Sequence, residues 1–464
     1  MAQPPSAAFI DDLSRRFDPH TVSTDAADLE VYGRDGTRVY PSRPSAVVRP
    51  RREEEVSELL AACHERGVAV VPSGGRTGLA GGAVAMKGEV VLSLERMRGL
   101  ADVDVLGQSL VVGAGATTQS VHEHAQRQGL TWPIDLASKG SCQIGGNVGT
   151  NAGGVRVIRY GHVRNWILGL RAVLADGTCL SVNRRLSKDN TGFDLKQLLI
   201  GSEGTLGVVT EATLKLTATA PPETVMLFAV AGLDAALELL QAARRGPFVI
   251  TAFECFSDQC LEYVVRRQTV GAPFANMSEF YVLLAVEADT ESLHGWLTTV
   301  LLCPWLVDAT LALDATQARR LWSYREAISE SLGVLGFPHK NDVALPVDRL
   351  GEFYRDLKQL FSSRYADWQI CVFGHLADGN LHINTMKPES MSVEDFRARA
   401  MLADHEVFEL VRRFGGSISA EHGIGLVKRP YLEYARAPSE LELLRRIKAT
   451  LDPHGILNPG KIFP

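Results

Sequence analysis

Seven cysteines (Cys63, Cys142, Cys179, Cys255, Cys260, Cys303 and Cys371) are scattered along the chain without a CxxC pair. That spacing argues against a disulfide framework and against a thiolate zinc site. Long apolar runs are missing too, since no uncharged stretch approaches the ~18 apolar residues of a membrane-crossing helix. The opening MAQPPSAAFIDDLSRRF lacks the basic-then-apolar order of a secretory leader. A cytoplasmic protein without an integral membrane segment is therefore expected. Charge of one sign is also scarce: 48 Lys plus Arg stand against 54 Asp plus Glu, a net charge of −6 and too little to imply a nucleic-acid partner. What is present is ordinary globular composition, 45% hydrophobic and 22% charged, over a length of 464 residues. At roughly 150 residues per domain that length predicts two or three domains.

Glycine is where the sequence becomes specific. Residues 53–66, EEEVSELLAACHER, begin with three acids and end at Gly67, the order expected of a helix. The β-branched run 68–71 then enters PSGGRTGLAGGA (72–83), and strands follow at 89–94 and 110–113. The run GAGATT from Gly113 keeps two glycines of G-x-G-x-x-G but has Thr118 in place of the third, which disfavours a nicotinamide site. A helical stretch at 119–128 comes next. A second glycine cluster, QIGGNVGTNAGG (143–154), precedes a hairpin expected at 168–182 with its turn at Asp176-Gly177, and GSEGTLG begins at Gly201. Each cluster alone suits a tight turn; together they favour a phosphate-bearing nucleotide cradled by backbone N–H groups. After Pro221-Pro222 glycine thins and longer helical stretches appear, at 234–245 and 315–335, which puts a domain boundary near residue 220.

The segments PSGGRTGLAGG, PIDLASKGSCQIGGNVGTNAGG, RYGHVRNWILGLRAVLADG and GSEGTLGVVTEATLKL resemble the FAD-binding domain of the vanillyl-alcohol-oxidase (PCMH-type) flavoproteins. The resemblance implies an α+β fold: an N-terminal helical segment (1–38), a two-subdomain FAD-binding domain (39–218), and a substrate or cap domain with an antiparallel sheet (219–410). A C-terminal segment (411–464) returns to the flavin. It nominates as cofactor contacts Pro72, Ser73, Gly74, Gly75, Arg76, Thr77, Gly78, Pro133, Asp135, Ser138, Gly140 and Ser141. Gly145, Gly146, Asn147, Asn151, Gly154, Glu203, Gly204, Val208 and, from the closing LDPHGILNPGKIF, Asn458 complete that set. The first loop has no histidine, so the FAD is expected to be non-covalent.

A second motif, GHLADGNLH (374–382), reads as a hairpin with strands at 369–373 and 381–385 around an Asp378-Gly379 turn. Counted from a two-residue turn, His375 faces His382, and Asn384 lies on the same face. Two histidines suit a divalent metal or a structural pair equally, and a catalytic zinc wants a third ligand. The candidate is Glu421 in ISAEHGIG, which leaves His422 as a base. GHLADGNLH and SAEHG resemble signatures of the D-2-hydroxyacid dehydrogenase branch of the same flavoproteins. That resemblance makes His375, His382 and Glu421 the metal ligands and His422 the catalytic base. On ligand type the metal is expected to be zinc, with manganese or cobalt as alternatives.

The implied reaction is oxidation of a D-2-hydroxy acid to the 2-oxo acid, with hydride passing to flavin N5 and the hydroxyl proton to His422. Arg325, in LWSYREAISESLG, resembles the family's substrate-anchoring arginine, and Ser329 one helical turn later shares its face. Lys340 together with Asn384 resembles the pair in relatives that act on 2-hydroxyglutarate, so D-2-hydroxyglutarate is the expected substrate and 2-oxoglutarate the product. An electron-acceptor protein such as an electron-transfer flavoprotein is implied, and a homodimer is admitted. The rivals are a D-lactate or glycolate dehydrogenase on the same fold and, from another class, a metallohydrolase or metal-binding protein.

Overall fold

The structure is a computed structural model that describes residues 3–182, 185–267 and 270–463. It divides into two compact units. Unit one gathers Met1–Gly154, Tyr160–Thr219 and Glu421–Pro464; unit two consists of Val155–Arg159 and Ala220–Ala420. Helices and largely antiparallel sheets make it α+β, as expected.

In unit one the acid-led helix forms at Glu53–Arg66 and stops at Gly67, whose φ of 62° is left-handed. One face of the helix buries Val56, Leu59, Leu60 and Cys63 against the strands Ala46–Val48, Val70–Ser73 and Val90–Ser93. These strands are parallel, with Val90 opposite both Ala46 and Val70. At roughly 1.5–3 kcal/mol per buried aliphatic side chain, such a layer holds the loop after Ser73 in place. A second, antiparallel sheet runs Ser109–Gly113, Val208–Lys215, Ile167–Val173, Cys179–Ser181, and includes the expected hairpin. Residues 143–154 are not simply turns. Ile144–Thr150 is a helix closed by Asn151 at φ 49°, because its small residues let it lie against Ala114, where a Cβ on Gly145 would come within 2.8 Å. The closing segment pairs with the strand Val70–Ser73, through Val70 N–H to Ile456 O (2.8 Å) and Asn458 N–H to Val70 O (2.8 Å).

Unit two is built on a seven-stranded sheet in the order Leu306–Leu311, Thr224–Val230, Phe280–Glu287, Val249–Ser257, Gln369–His375, Asn380–Met386, Pro338–Ala344. One face packs Phe256, Tyr281 and Phe373 with Tyr324, Ile328 and Leu332. The helical stretch 315–335 is broken: Ala315–Glu326 ends at Ala327 and Ile328–Leu335 begins anew. The four-residue spacing that put Ser329 on the face of Arg325 assumed one unbroken helix. Ser329 is exposed, whereas Arg325 is buried.

The hairpin register also differs from the sequence count. Phe373, not His375, lies opposite His382, and His375 lies opposite Glu254 on the other neighbouring strand. A two-residue turn at Asp378-Gly379 would need positive φ at both residues. Only Gly379 has it (φ 74°), at the end of a 3-10 turn over Leu376–Asp378, and a Cβ there would overlap the Leu345 carbonyl. The longer turn offsets the strands by two residues. Because side chains alternate with period two, that offset keeps His375 on the face expected for it. No helix among the described residues is long and apolar enough to cross a membrane.

Candidate functional site

The cleft of unit one encloses about 1030 Å³ counting its open mouth, at the upper end of small-molecule sites. Its wall is the loop Pro72–Gly78, the helix residues Gly145, Gly146 and Asn147, then Glu203, Gly204 and Val208, all nominated from sequence. Pro133, Asp135, Ser138, Gly140, Ser141, Asn151, Gly154 and Asn458 do not line it. Several of these shape the wall from behind. Gly75 lies so close to Ser141 that a Cβ would overlap its carbonyl, and Gly154 stands in the same relation to Asp135. Asn458 Nδ2 donates to Gly82 O (2.9 Å) and Glu203 O (2.7 Å), bracing two lining residues. Arg76 takes φ 58° and stacks its guanidinium on Tyr32 at 4.3 Å.

Ser73 Oγ, Gln143 Oε1 and Asn458 Oδ1 are buried without a hydrogen-bond partner among the described residues, and Ser73 and Gln143 line the cleft. A buried polar atom left unpaired costs about 1–3 kcal/mol, so a polar ligand is the economical partner for these atoms. A flavin dinucleotide, with ring N–H, ribityl hydroxyls and a pyrophosphate that needs close backbone approach, fits that donor and acceptor set.

His422 lines the same cleft. The segment that carries it is tied down by Glu203, whose two carboxylate oxygens accept from Ile424 N–H (2.7 Å) and Gly425 N–H (2.8 Å). Burial raises the Glu203 carboxyl above its ordinary pKa against those two bonds. Glu203, nominated as a cofactor contact, lines the cleft, and its carboxylate also holds the loop of His422. Glu421 Oε1 lies 3.8 Å from His422 Nε2.

Unit two carries the other candidates on one face of its sheet. Lys340 pairs with Asn384 across the strands, and Asp342 pairs with His382. The rings of His375 and His382 are 5.6 Å apart and nearly perpendicular. Two carboxylates that the sequence reading missed flank these imidazoles. Asp342 Oδ1 lies 3.6 Å from His382 Nδ1 and accepts from Asn380 Nδ2 at 2.8 Å, while its Oδ2 accepts from Ala420 N–H at 3.2 Å. Glu254 Oε1 lies 2.6 Å from His375 Nδ1, and Glu254 Oε2 accepts from Arg325 Nε at 2.8 Å. Burial works to raise the Glu254 carboxyl, but the charges of His375 and Arg325 and their hydrogen bonds prevail and hold it below its ordinary pKa. Arg325 is buried, and its guanidinium lies over Phe373 at 4.8 Å. The available signal was an acid inside a strand, TAFECFS, whose neighbours are apolar.

When the His375 ring is neutral, an Nδ1–H donated to Glu254 leaves Nε2 as the lone-pair nitrogen, the tautomer that a metal ligand needs. Neutral imidazoles with carboxylate neighbours suit a borderline divalent cation, so the donor chemistry fits one. Glu421 follows Ala420 directly in the chain, but it belongs with His422 to unit one, whereas His375, His382, Arg325, Lys340 and Asn384 belong to unit two.

Two family descriptions match the chain: an FAD binding domain over residues 44–183 and the C-terminal domain of FAD linked oxidases over residues 219–462. D-2-hydroxyglutarate dehydrogenase of Stutzerimonas stutzeri is 42% identical, covering 98% of this chain and 99% of that protein. The Bos taurus mitochondrial protein of the same name is 39% identical over 99% of this chain and 85% of its own length. Among solved structures, 4-ethylphenol oxidase from Gulosibacter chungangensis has a TM-score of 0.75 at 18% identity, covering 100% of this chain and 99% of that one. An alkyldihydroxyacetonephosphate synthase also scores 0.75, at 19% identity over 99% and 86% of the two chains. These two share the fold.

Proposed function

The chain belongs to the FAD-linked oxidases, in their D-2-hydroxyacid dehydrogenase branch, and from that premise we propose that it oxidises D-2-hydroxyglutarate to 2-oxoglutarate. The observation that carries this reading is His422, a titratable side chain lining the very cleft whose unpaired polar atoms fit a flavin. Bound FAD supplies the hydride acceptor. A divalent cation, with zinc first on ligand type, would supply Lewis acidity toward the hydroxy acid. In this reading His375, His382 and Glu421 hold that cation, with Asp342 a further oxygen donor beside His382.

The protein's own residues do the rest. Arg325 offers its two terminal nitrogens as a fork for the C1 carboxylate, since its Nε is already engaged by Glu254. Lys340 and Asn384, adjacent across two strands, receive the second carboxylate. The lone pair of the His422 imidazole takes the proton from the substrate hydroxyl as the C2–H bond breaks. Only the neutral imidazole carries the lone pair that can accept this proton. A cytoplasmic setting, an electron-transfer flavoprotein as acceptor and a homodimer belong to the same proposal; the bovine relative is named mitochondrial.

Selectivity tests the diacid assignment. Lys340→Ala and Asn384→Ala should each raise KM for D-2-hydroxyglutarate about tenfold, the worth of one charge-assisted hydrogen bond, and leave D-lactate kinetics unchanged. Equal losses on diacid and monoacid in steady-state assays would refute it.

A further inference from the structure

The strand Val249–Ser257 places an ionised side chain where its neighbours are apolar. Glu254 is 1% exposed, between Phe253 and Cys255 in sequence and directly opposite His375 in register. Each of its oxygens has one partner: Oε1 lies 2.6 Å from His375 Nδ1 and Oε2 accepts from Arg325 Nε at 2.8 Å. Phe373 backs the guanidinium from the same sheet, at 4.8 Å.

A buried carboxylate is costly unless both its oxygens are satisfied, and removing one partner of a buried ion pair leaves the other charge uncompensated. Here one partner is an imidazole read as a cation ligand and the other a guanidinium read as the grip on a substrate carboxylate. The two side chains arrive from different elements, a strand end and a helix end, and the carboxylate fixes both at once.

We infer that Glu254 is a positioning residue that sets the His375 imidazole and the Arg325 guanidinium as one assembly, coupling the hold on the cation to the hold on the C1 carboxylate of the hydroxy acid. This rests on the reading of His375 and Arg325 given above. Through His375 it fixes the ring plane and makes Nε2 the ligating nitrogen, the service that carboxylates behind metal-bound histidines perform. Through Arg325 it engages the Nε edge and leaves the Nη fork for the C1 carboxylate of the hydroxy acid. A role confined to folding would predict neither.

Glu254→Gln is a discriminating change because it preserves shape. Whichever way the amide turns, one terminal atom becomes an N–H donor facing another donor, either His375 Nδ1–H or Arg325 Nε–H, so one of the two bonds is lost. The experiment uses the flavin-loaded full chain. Zinc affinity is read by competition with a chromophoric chelator, kcat and KM are read separately on D-2-hydroxyglutarate, and flavin content and unfolding midpoint serve as structural readouts. Expected are a zinc dissociation constant raised about 10–100-fold, a KM raised about tenfold, and an unchanged flavin content. Arg325→Met should raise KM by a comparable factor, and Glu254→Gln added to it should raise KM little further while still weakening zinc. Should the Gln variant lose flavin, Glu254→Asp, which keeps the charge and shortens its reach, makes the same comparison. A variant that unfolds at lower temperature but keeps zinc affinity and KM within about twofold of the parent overturns the positioning role. A parent chain that binds no zinc and turns over no hydroxy acid overturns the underlying reading instead, and this inference with it.

Discussion

The cleft of unit one and the sheet face of unit two are built on opposite principles. The cleft depends on side chains that are absent: backbone approaches backbone at Gly75 and Gly154, and the wall offers peptide groups to a ligand. The sheet face depends on side chains that are present and interlocked, with Glu254, Arg325, His375, Asp342 and His382 each in contact with another polar group. Unit one should therefore fail when atoms are added, and unit two when they are removed.

The largest effect is expected at the one side chain of the cleft read as chemical. His422→Gln should lower kcat about 10²–10⁴-fold, the range for removing a general base, with flavin still bound. If kcat falls less than tenfold in a stopped-flow reduction assay, the base lies elsewhere. Next comes Gly75→Ala. Its methyl group would overlap the Ser141 carbonyl, and overpacking of this kind costs about 1–3 kcal/mol, or roughly 5- to 150-fold in flavin affinity. The purified variant should be pale and still bind zinc. Retention of full flavin absorbance would break the contrast between the units.

The smallest effect concerns the frame of unit one. Glu53, at the start of its helix, accepts from Arg171 and from Thr210 on two neighbouring strands. Burial works to raise its carboxyl, but these partners prevail and hold it below its ordinary value of 4.5. A lowered folded pKa means that the contribution is present in full above that value and is lost as pH falls through the folded pKa. Glu53→Gln should thus cost about 1 kcal/mol near neutral pH, discounted for the half-exposed arginine. In denaturant titrations the gap between variant and parent should close on acidification. A gap that widens in acid would contradict the sign.

The two principles were not equally legible in the sequence. Glycine clusters announce backbone approach and pointed to a nucleotide site, the family resemblance carried by the same segments nominated the wall residues Pro72–Gly78, Gly145 and Gly204, and the turn Asp176-Gly177 marked its hairpin. Alternation put His375, His382 and Asn384 on one face even though the turn geometry was misjudged, because a two-residue offset preserves the face. Ser329 looked like the companion of Arg325 from its four-residue spacing, because nothing local marks the break at Ala327. Glu254 is 71 residues from Arg325 and 121 from His375 in sequence, and Asp342 is forty from His382. Such pairings are set by strand order in the sheet, which periodicity does not encode.

The central claim, a flavin-linked oxidation of a D-2-hydroxy diacid, meets its most direct test in anaerobic titration of the purified chain with D- and L-2-hydroxyglutarate and D-lactate while flavin absorbance is recorded. The account predicts a yellow protein bleached by the D-diacid, and neither by its L enantiomer nor comparably by D-lactate. A colourless protein, or a yellow one that no D-2-hydroxy acid bleaches, would contradict it.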